Sequence, residues 1–269
     1  MTVSPAGIDA TDHDIAVDSK HRKNLIATYL AGNVNEDTLR SLRLVHGDDP
    51  LRQARSMIRY TLAVSSAPAA TLSGQLGGLV LLHLIREHAP DIPVIFGDTG
   101  YHFAETLDFV DQLRRDWNLN RRIVAPADSV TEHEAIRGAL YSTNPDACCA
   151  MRKVAPVENA LVGHDVWFTA VRRNQSALRS ALHPISAAVL QDRHRIVKVK
   201  PLIEWSWDDI ETYADRHHVP RHPFYNQGYT SIGCAPCTIP TFGVGDDRSG
   251  RWQGIKTECG LHIESPDPR

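Results

Sequence analysis

The sequence predicts an α/β fold: a Rossmann-like parallel sheet with helices on both faces. Short apolar runs of strand length alternate with segments of helical periodicity, the pattern of crossover units in a parallel sheet. Two of the apolar runs end in polar, glycine-bearing turns, as strand ends do beside a ligand crevice. At 269 residues, the chain is long enough to bury a sizeable core.

Met1 to His21 is polar and acidic with no apolar stretch, and reads as a loose arm rather than a secretory signal. The expected compartment is therefore a reducing cytoplasm, where cysteines are ligands or catalysts more often than disulfides. Arg22 to Tyr60 reads as helical, with Leu25, Ile26, Tyr29 and Leu30 at helical spacing. Ala69 to Leu72 is the first strand, Leu79 to His88 a buried helix, and Ile92 to Phe96 the second strand. Phe103 to Trp117 is a helix with Phe109, Val110 and Leu113 on one face. Arg121 to Val124 is a third strand, Val154 to Val162 a helix, Val166 to Val171 a fourth strand, and Ile196 to Pro201 another. Ser206-Trp207-Asp208-Asp209 opens a helix like a capping box. From Gly243 to Arg269 periodicity fades, and the segment reads as a mobile C-terminal tail. The domain reading is therefore an arm over 1–21, an α/β domain over 22–242 and a tail over 243–269 that carries Cys259.

A net charge of −3 argues against a general polyanion binder, so no nucleic-acid partner is expected. No apolar run reaches roughly 18 residues, so no membrane-spanning helix is expected.

The glycine turn Thr71-Leu72-Ser73-Gly74-Gln75-Leu76-Gly77-Gly78 sits between a strand and a helix. It suits a phosphate at a helix N-terminus, or is simply a tight turn, and it lacks the Gly-Lys-Ser/Thr ending of a P-loop. Phe96-Gly97-Asp98-Thr99-Gly100 ends the next strand, where Asp98 either borders a nucleotide crevice or caps the following helix.

Of five cysteines, four form two tight pairs, Cys148-Cys149 and Cys234-Ala235-Pro236-Cys237. Four thiolates suit zinc or an iron–sulfur cluster, while buried structural thiols are the bland alternative. Adjacent cysteines make a poor zinc knuckle but can reach different irons of a cluster. The fifth, Cys259, stands apart between Lys256 and His262. Nearby cations favour a thiolate, the attacking form, so Cys259 reads as a nucleophile. Arg152, Lys153, Arg172, Arg173, Arg179, Arg248 and Arg251 gather in the same stretches, and guanidinium groups pair with sulfate and phosphate oxygens.

Several blocks resemble the assimilatory adenylyl-sulfate (APS) reductases, relatives of the phosphoadenylyl-sulfate (PAPS) reductases. They are Asp98 to Phe103 with Glu105-Thr106, Cys148-Cys149 with Arg152 to Pro156, Arg172 to Ser176, Gly228 to Thr238, Arg251-Trp252, and Lys256 to His262. The resemblance runs in order from about Thr71 to His262 and departs at the loop. No acidic pair follows Gly74, and Ala170 stands where glycine is commoner.

The resemblance implies an adenine nucleotide alpha hydrolase-like sheet and a [4Fe-4S] cluster on Cys148, Cys149, Cys234 and Cys237. It implies Cys259 as nucleophile and Lys153, Arg248, Arg251 and His262 around the phosphosulfate. By the same token Thr71 and Ser73 are nucleotide-loop hydroxyls, Gly97 an adenine contact and Arg179 a further substrate arginine. The expected reaction turns APS into sulfite and AMP through an S-sulfocysteine that thioredoxin or a similar thiol donor resolves. PAPS reduction and, further off, ATP-pyrophosphatase-type thiolation are the alternatives.

Overall fold

The computed structural model describes residues 49–190, 192–245, 247–256 and 258–262. The expected arm over 1–21, the 22–48 part of the first helix and residues 263–269 lie outside the described residues.

Asp49 caps helix α1 (Pro50–Val64), its carboxylate accepting from the Leu51 and Arg52 N–H groups, with Pro50 at the first turn. Strand β1 (Pro68–Leu72) leads through the glycine turn into α2 (Leu76–Arg86), whose buried leucines lie almost all round. Strand β2 (Val94–Gly97), helix α3 (Ala104–Asp116) and β3 (Arg121–Val124) follow. Helix α4 (Val130–Arg137) opens on a full capping box between Ser129 and Glu132. Two short helices, α5 (Leu140–Thr143) and α6 (Pro145–Cys149), run through a π-helical turn, Ala150–Val154, into α7 (Ala155–Leu161). Strands β4 (Val166–Phe168), β5 (Ile185–Val189) and β6 (Arg195–Val199) precede α8 (Trp207–Arg216). The expected capping box at Ser206 is present, with Asp209 as its reciprocal partner.

The six strands lie in the order β3-β2-β1-β4-β6-β5. Every pairing is parallel except β5 with β6, which are antiparallel. That edge strand is an addition to the sequence reading. Its residues, Ile-Ser-Ala-Ala-Val, are mostly small and bear little apolar signal. It is held by the full register of β6, from Ile185 opposite Val199 to Val189 opposite Arg195.

Side chains alternate across the sheet. Ala70, Leu72, Val94, Phe96, Val166 and Phe168 join one cluster with α1, α2, α3 and α8. Ala69, Ile95, Trp167 and Ile196 join the other, with Val157, Ala160 and Leu161 of α7. Trp252, Cys259 and Leu261 belong to that second cluster, so residues near the C-terminus pack as part of this face. Chain order reverses between adjacent β1 and β4, and a crevice opens at the carboxyl ends of such strands. Among the described residues no helix is long and apolar enough to cross a membrane.

Candidate functional site

Four local devices bring the cysteines together. Asn144 caps α6, its Oδ1 accepting from the Ala147 N–H at 3.1 Å, and delivers Cys148 and Cys149 at the helix end. The π-turn that follows carries Arg152 and Lys153, and such turns often sit at functional sites. Cys234 is fixed by a β-bridge to His102 and by the Ala235 N–H donating to the Tyr101 carbonyl at 2.7 Å. A 3-10 turn, Ala235–Cys237, then places the fourth cysteine, with the Cys237 N–H on the Cys234 carbonyl at 3.0 Å. One pocket is lined by Cys148, Cys149, Cys234, Cys237 and Cys259, together with Thr99, Lys153, Arg251 and Trp252.

All five thiols are free. Burial, with Cys149 and Cys234 beside it, pushes Cys148 up to about 11. Burial, Cys234 and Cys149 push Cys237 up to about 12, and burial followed by Cys259 raises Cys149. Thiols that oppose one another's ionisation in this way fit a group whose own cations supply the missing charge, because coordination deprotonates a thiol outright. The four side chains line one pocket, and as a donor set they fit a four-thiolate centre. Among the described residues no group of three or more His, Cys, Asp or Glu side chains is arranged to hold a metal ion.

Cys259 differs from the four. Burial pushes its thiol up, but Lys153, the Leu261 N–H, Arg248 and Arg251 outweigh burial and leave it below the ordinary value. The cations the sequence singled out thus meet at this thiol. The Arg251 guanidinium lies against Gly233, where a Cβ would come within 2.1 Å of Arg251 Nη2 and displace it. Arg251, Arg248 and Lys256 stack on the Trp252 ring at 4.4, 5.4 and 5.3 Å from its centroid. Burial, with Arg179 close by, pushes Arg248 down to about 10, which leaves it charged at neutral pH. His262 tilts against Trp167 at 5.7 Å. Burial and then Arg179, Lys198, Lys153 and Arg248 hold it well below the usual imidazole value. Its Nδ1 is buried and has no hydrogen-bond partner among the described residues.

Thr71, Ser73 and Gly97 lie at the carboxyl ends of β1 and β2, outside the cysteine pocket. Thr71 Oγ1 accepts from Trp167 Nε1 at 3.0 Å across the β1–β4 switch point. Gly97 is required by packing, since a Cβ there would sit 2.8 Å from Val157 of α7. Asp98 does not cap α3, whose N-cap is Phe103; its carboxylate accepts from the Gly100 N–H at 2.8 Å and shapes the turn.

Arg179 is buried, and its guanidinium is taken up within the protein. Nε and Nη2 each donate to Glu258 at 2.7 Å, and Nη1 donates to Gln175. Sequence reasoning gave Glu258 no role, although it stands next to Cys259. It also passed over Lys198, whose Nζ donates to the Leu261 carbonyl at 3.0 Å. The signal for Lys198 was available: a lysine flanked by Ile196, Val197 and Val199 in a buried strand needs a partner. Arg172, expected with the site cations, is buried and pairs with Asp247 at 2.8 Å, which ties the tail to the end of β4.

Residues 67–240 match the phosphoadenosine phosphosulfate reductase domain. The chain is 43% identical over 188 residues to an adenosine 5'-phosphosulfate reductase of Bacillus pumilus, covering 69% of this chain and 79% of that one. It is 37% identical over 219 residues to adenosine 5'-phosphosulfate reductase 1 of Bacillus subtilis, covering 80% and 93%. The solved phosphoadenylyl-sulfate reductase from Candida auris superposes with a TM-score of 0.62 at 24% identity, over 84% of this chain and 99% of that one. A Candida glabrata FMN adenylyltransferase superposes at 0.53 with 17% identity, over 81% and 70%. Both structural likenesses concern the fold.

Proposed function

The chain belongs to the phosphoadenosine phosphosulfate reductase family, and from that premise we propose that it reduces adenosine 5'-phosphosulfate to sulfite and AMP with Cys259 as the nucleophile. One observation carries the reading. The single cysteine outside the two pairs is the one whose thiol is lowered, by Lys153, Arg248 and Arg251, while three of the paired thiols are raised. The relatives named as adenosine 5'-phosphosulfate reductases favour the nucleotide without a 3'-phosphate.

The Cys259 thiolate attacks the sulfur of the phosphosulfate. A Cys–S–SO₃⁻ bond forms, the S–O bond to AMP breaks, and AMP leaves with that electron pair. Lys153, Arg248 and Arg251 screen the sulfate's charge from the thiolate and stabilise charge growing on the AMP oxygen. His262 borders the same anion. Thr71, Ser73 and Gly97, at the strand ends, hold the nucleotide. A dithiol protein such as thioredoxin then attacks Cys259 Sγ, sulfite departs, and the donor's second thiol resolves the mixed disulfide to restore Cys259. The two electrons come from the donor. Cys148, Cys149, Cys234 and Cys237 would hold a [4Fe-4S] cluster, which when bound supplies cationic iron beside the anion pocket. The tail from residue 243 alternates between a state closed over the nucleotide and one open to the donor.

Anaerobically purified protein is assayed for sulfite release from APS and from PAPS, with iron, zinc and acid-labile sulfide measured on the same sample. Release from APS with about four irons per chain is expected. Equal or faster turnover of PAPS would move the substrate reading, and one zinc without sulfide would remove the cluster.

A further inference from the structure

The residues on either side of Cys259 are anchored by buried polar contacts. On one side Glu258, 7% exposed, accepts two parallel hydrogen bonds from Arg179 at 2.7 Å and a third from Ser176 Oγ at 3.0 Å. Arg248 Nη2 lies 3.6 Å from the same carboxylate. On the other side the Leu261 carbonyl accepts from Lys198 Nζ, a buried lysine that also faces the Trp167 ring at 4.5 Å. Between these anchors Cys259 is itself only 7% exposed.

Two facts make this arrangement more than a structural ion pair. First, each of the three nitrogens of the Arg179 guanidinium donates to Glu258 or Gln175, so its fork towards a carboxylate is already filled by Glu258 while the segment is docked. Second, Glu258 adjoins Cys259 in the chain, where successive Cα atoms are about 3.8 Å apart, so fixing one carboxylate fixes the thiol's position. A buried ion pair adds little stability over an apolar contact but selects one geometry and is costly to break singly. Such a contact suits a segment that must dock in one register and later let go.

We propose that Glu258 is a positioning residue: clasped by Arg179, it holds Cys259 in its buried, cation-facing place, and Arg179 serves the reaction through Glu258 rather than by binding substrate. The clasp is closed for attack on the nucleotide. It must open for a protein thiol donor to reach Cys259, because a buried sulfur cannot meet a second protein. This inference rests on the proposed role of Cys259, but its first test does not.

The full-length, anaerobically purified protein and its Glu258→Gln, Glu258→Asp and Arg179→Ala variants are treated with iodoacetamide without nucleotide, and alkylation of Cys259 is followed by peptide mass spectrometry. Loss of the clasp in Glu258→Gln and Arg179→Ala is expected to speed alkylation about tenfold, as for a segment released from its buried contacts. Glu258→Asp, which keeps the charge, is expected to fall between these and the wild type. Alkylation within about twofold of wild type in both charge-removing variants overturns the clasp. The second test is kinetic. Formation of the sulfite adduct from APS in a single turnover should slow about tenfold in Glu258→Gln and Arg179→Ala, with the KM for APS changed less than about threefold. An Arg179→Ala enzyme with raised KM and unchanged kcat would return Arg179 to the substrate. Circular dichroism and iron content check that each variant folds, and if Arg179→Ala fails there, the isosteric Glu258→Gln carries both tests. If the wild type does not turn over APS, the function is wrong, while the alkylation result still decides the clasp.

Discussion

On one face of the sheet, Leu79, Leu84 and Ile85 of α2 share a cluster with Phe96, Phe168 and Val199, and the contacts are hydrocarbon. On the other, Trp252, Cys259 and Leu261 join Ile95, Trp167 and Val157, but the segment that brings them is tied by charges. Those ties are Glu258 to Arg179, Leu261 to Lys198, and Asp247 to Arg172. Apolar burial is non-directional and strengthens with area, which makes a permanent core. Buried polar ties demand one geometry and lose most of their worth when one partner moves, which makes a cover that docks in register and can part. The proposed chemistry sits under the second face.

The sharpest break between the faces is at the thiol. Cys259→Ser removes the proposed nucleophile while keeping its size. Sulfite release from APS should fall by about a thousandfold or more, with the melting temperature unchanged. Normal turnover in this variant would assign the attack elsewhere.

A pair of leucine truncations tests the energetic contrast directly. Leu84→Ala, in a fully buried position of α2, should lower the unfolding free energy by about 2–5 kcal/mol in a denaturant titration. Leu261→Ala should cost under about 1 kcal/mol globally yet speed hydrogen exchange of the 258–262 backbone. Equal global losses would show that the two faces unfold as one unit.

Gly233→Ala forces the Arg251 guanidinium away from its present place. An increase of about tenfold in KM for APS is expected, as for a lost charge-assisted contact, with the fold intact by circular dichroism. Unchanged kinetics would remove Arg251 from the proposed anion site.

Acid should loosen the polar face first. The His262 imidazole is held well below 6.5 by burial and neighbouring cations, so its contribution is present above that pH and declines below it, as the unfolded chain takes up a proton the folded one refuses. For Glu258, burial opposes and Arg179 with Arg248 favour the carboxylate, leaving it below 4.5, so its contribution fades as pH falls from there through the folded value. Protease cleavage within 247–262 should therefore rise as pH drops below 6.5, while helix content measured by circular dichroism holds. A segment that tightened in acid would contradict both shifts.

The smallest effect is expected at Lys256, whose partner Asp146 is 84% exposed. Lys256→Met should change stability by no more than about 0.5 kcal/mol, since water screens the pair.

The sheet was legible because each parallel strand is a short apolar run and each covering helix has its own period. The β1, β2, β3, β4 and β6 segments and the Ser206 cap were found within a few residues. Strand β5 was not, because Ile185 to Val189 is largely small residues whose pairing is imposed by β6. The cysteine pairs, Cys259 and its cations were legible as residue types in tight blocks. Arg179 shows the limit. Its presence near the site was readable, but the partner that occupies it lies 79 residues away.

Composition and local spacing by themselves determined the α/β class, the strand-end turns and the four-plus-one division of the cysteines, and the family came from the resemblance of short motif blocks, since each is written within a few consecutive residues. Only the tertiary structure decided that the four thiols share one pocket, that Lys153, Arg248 and Arg251 meet at Cys259, and that Glu258 clasps Arg179. Those facts depend on distance between segments far apart in the chain. The Coulomb and hydrogen-bond energies that set a thiol's charge or fill a guanidinium act over a few ångströms of space, and sequence separation does not report that distance.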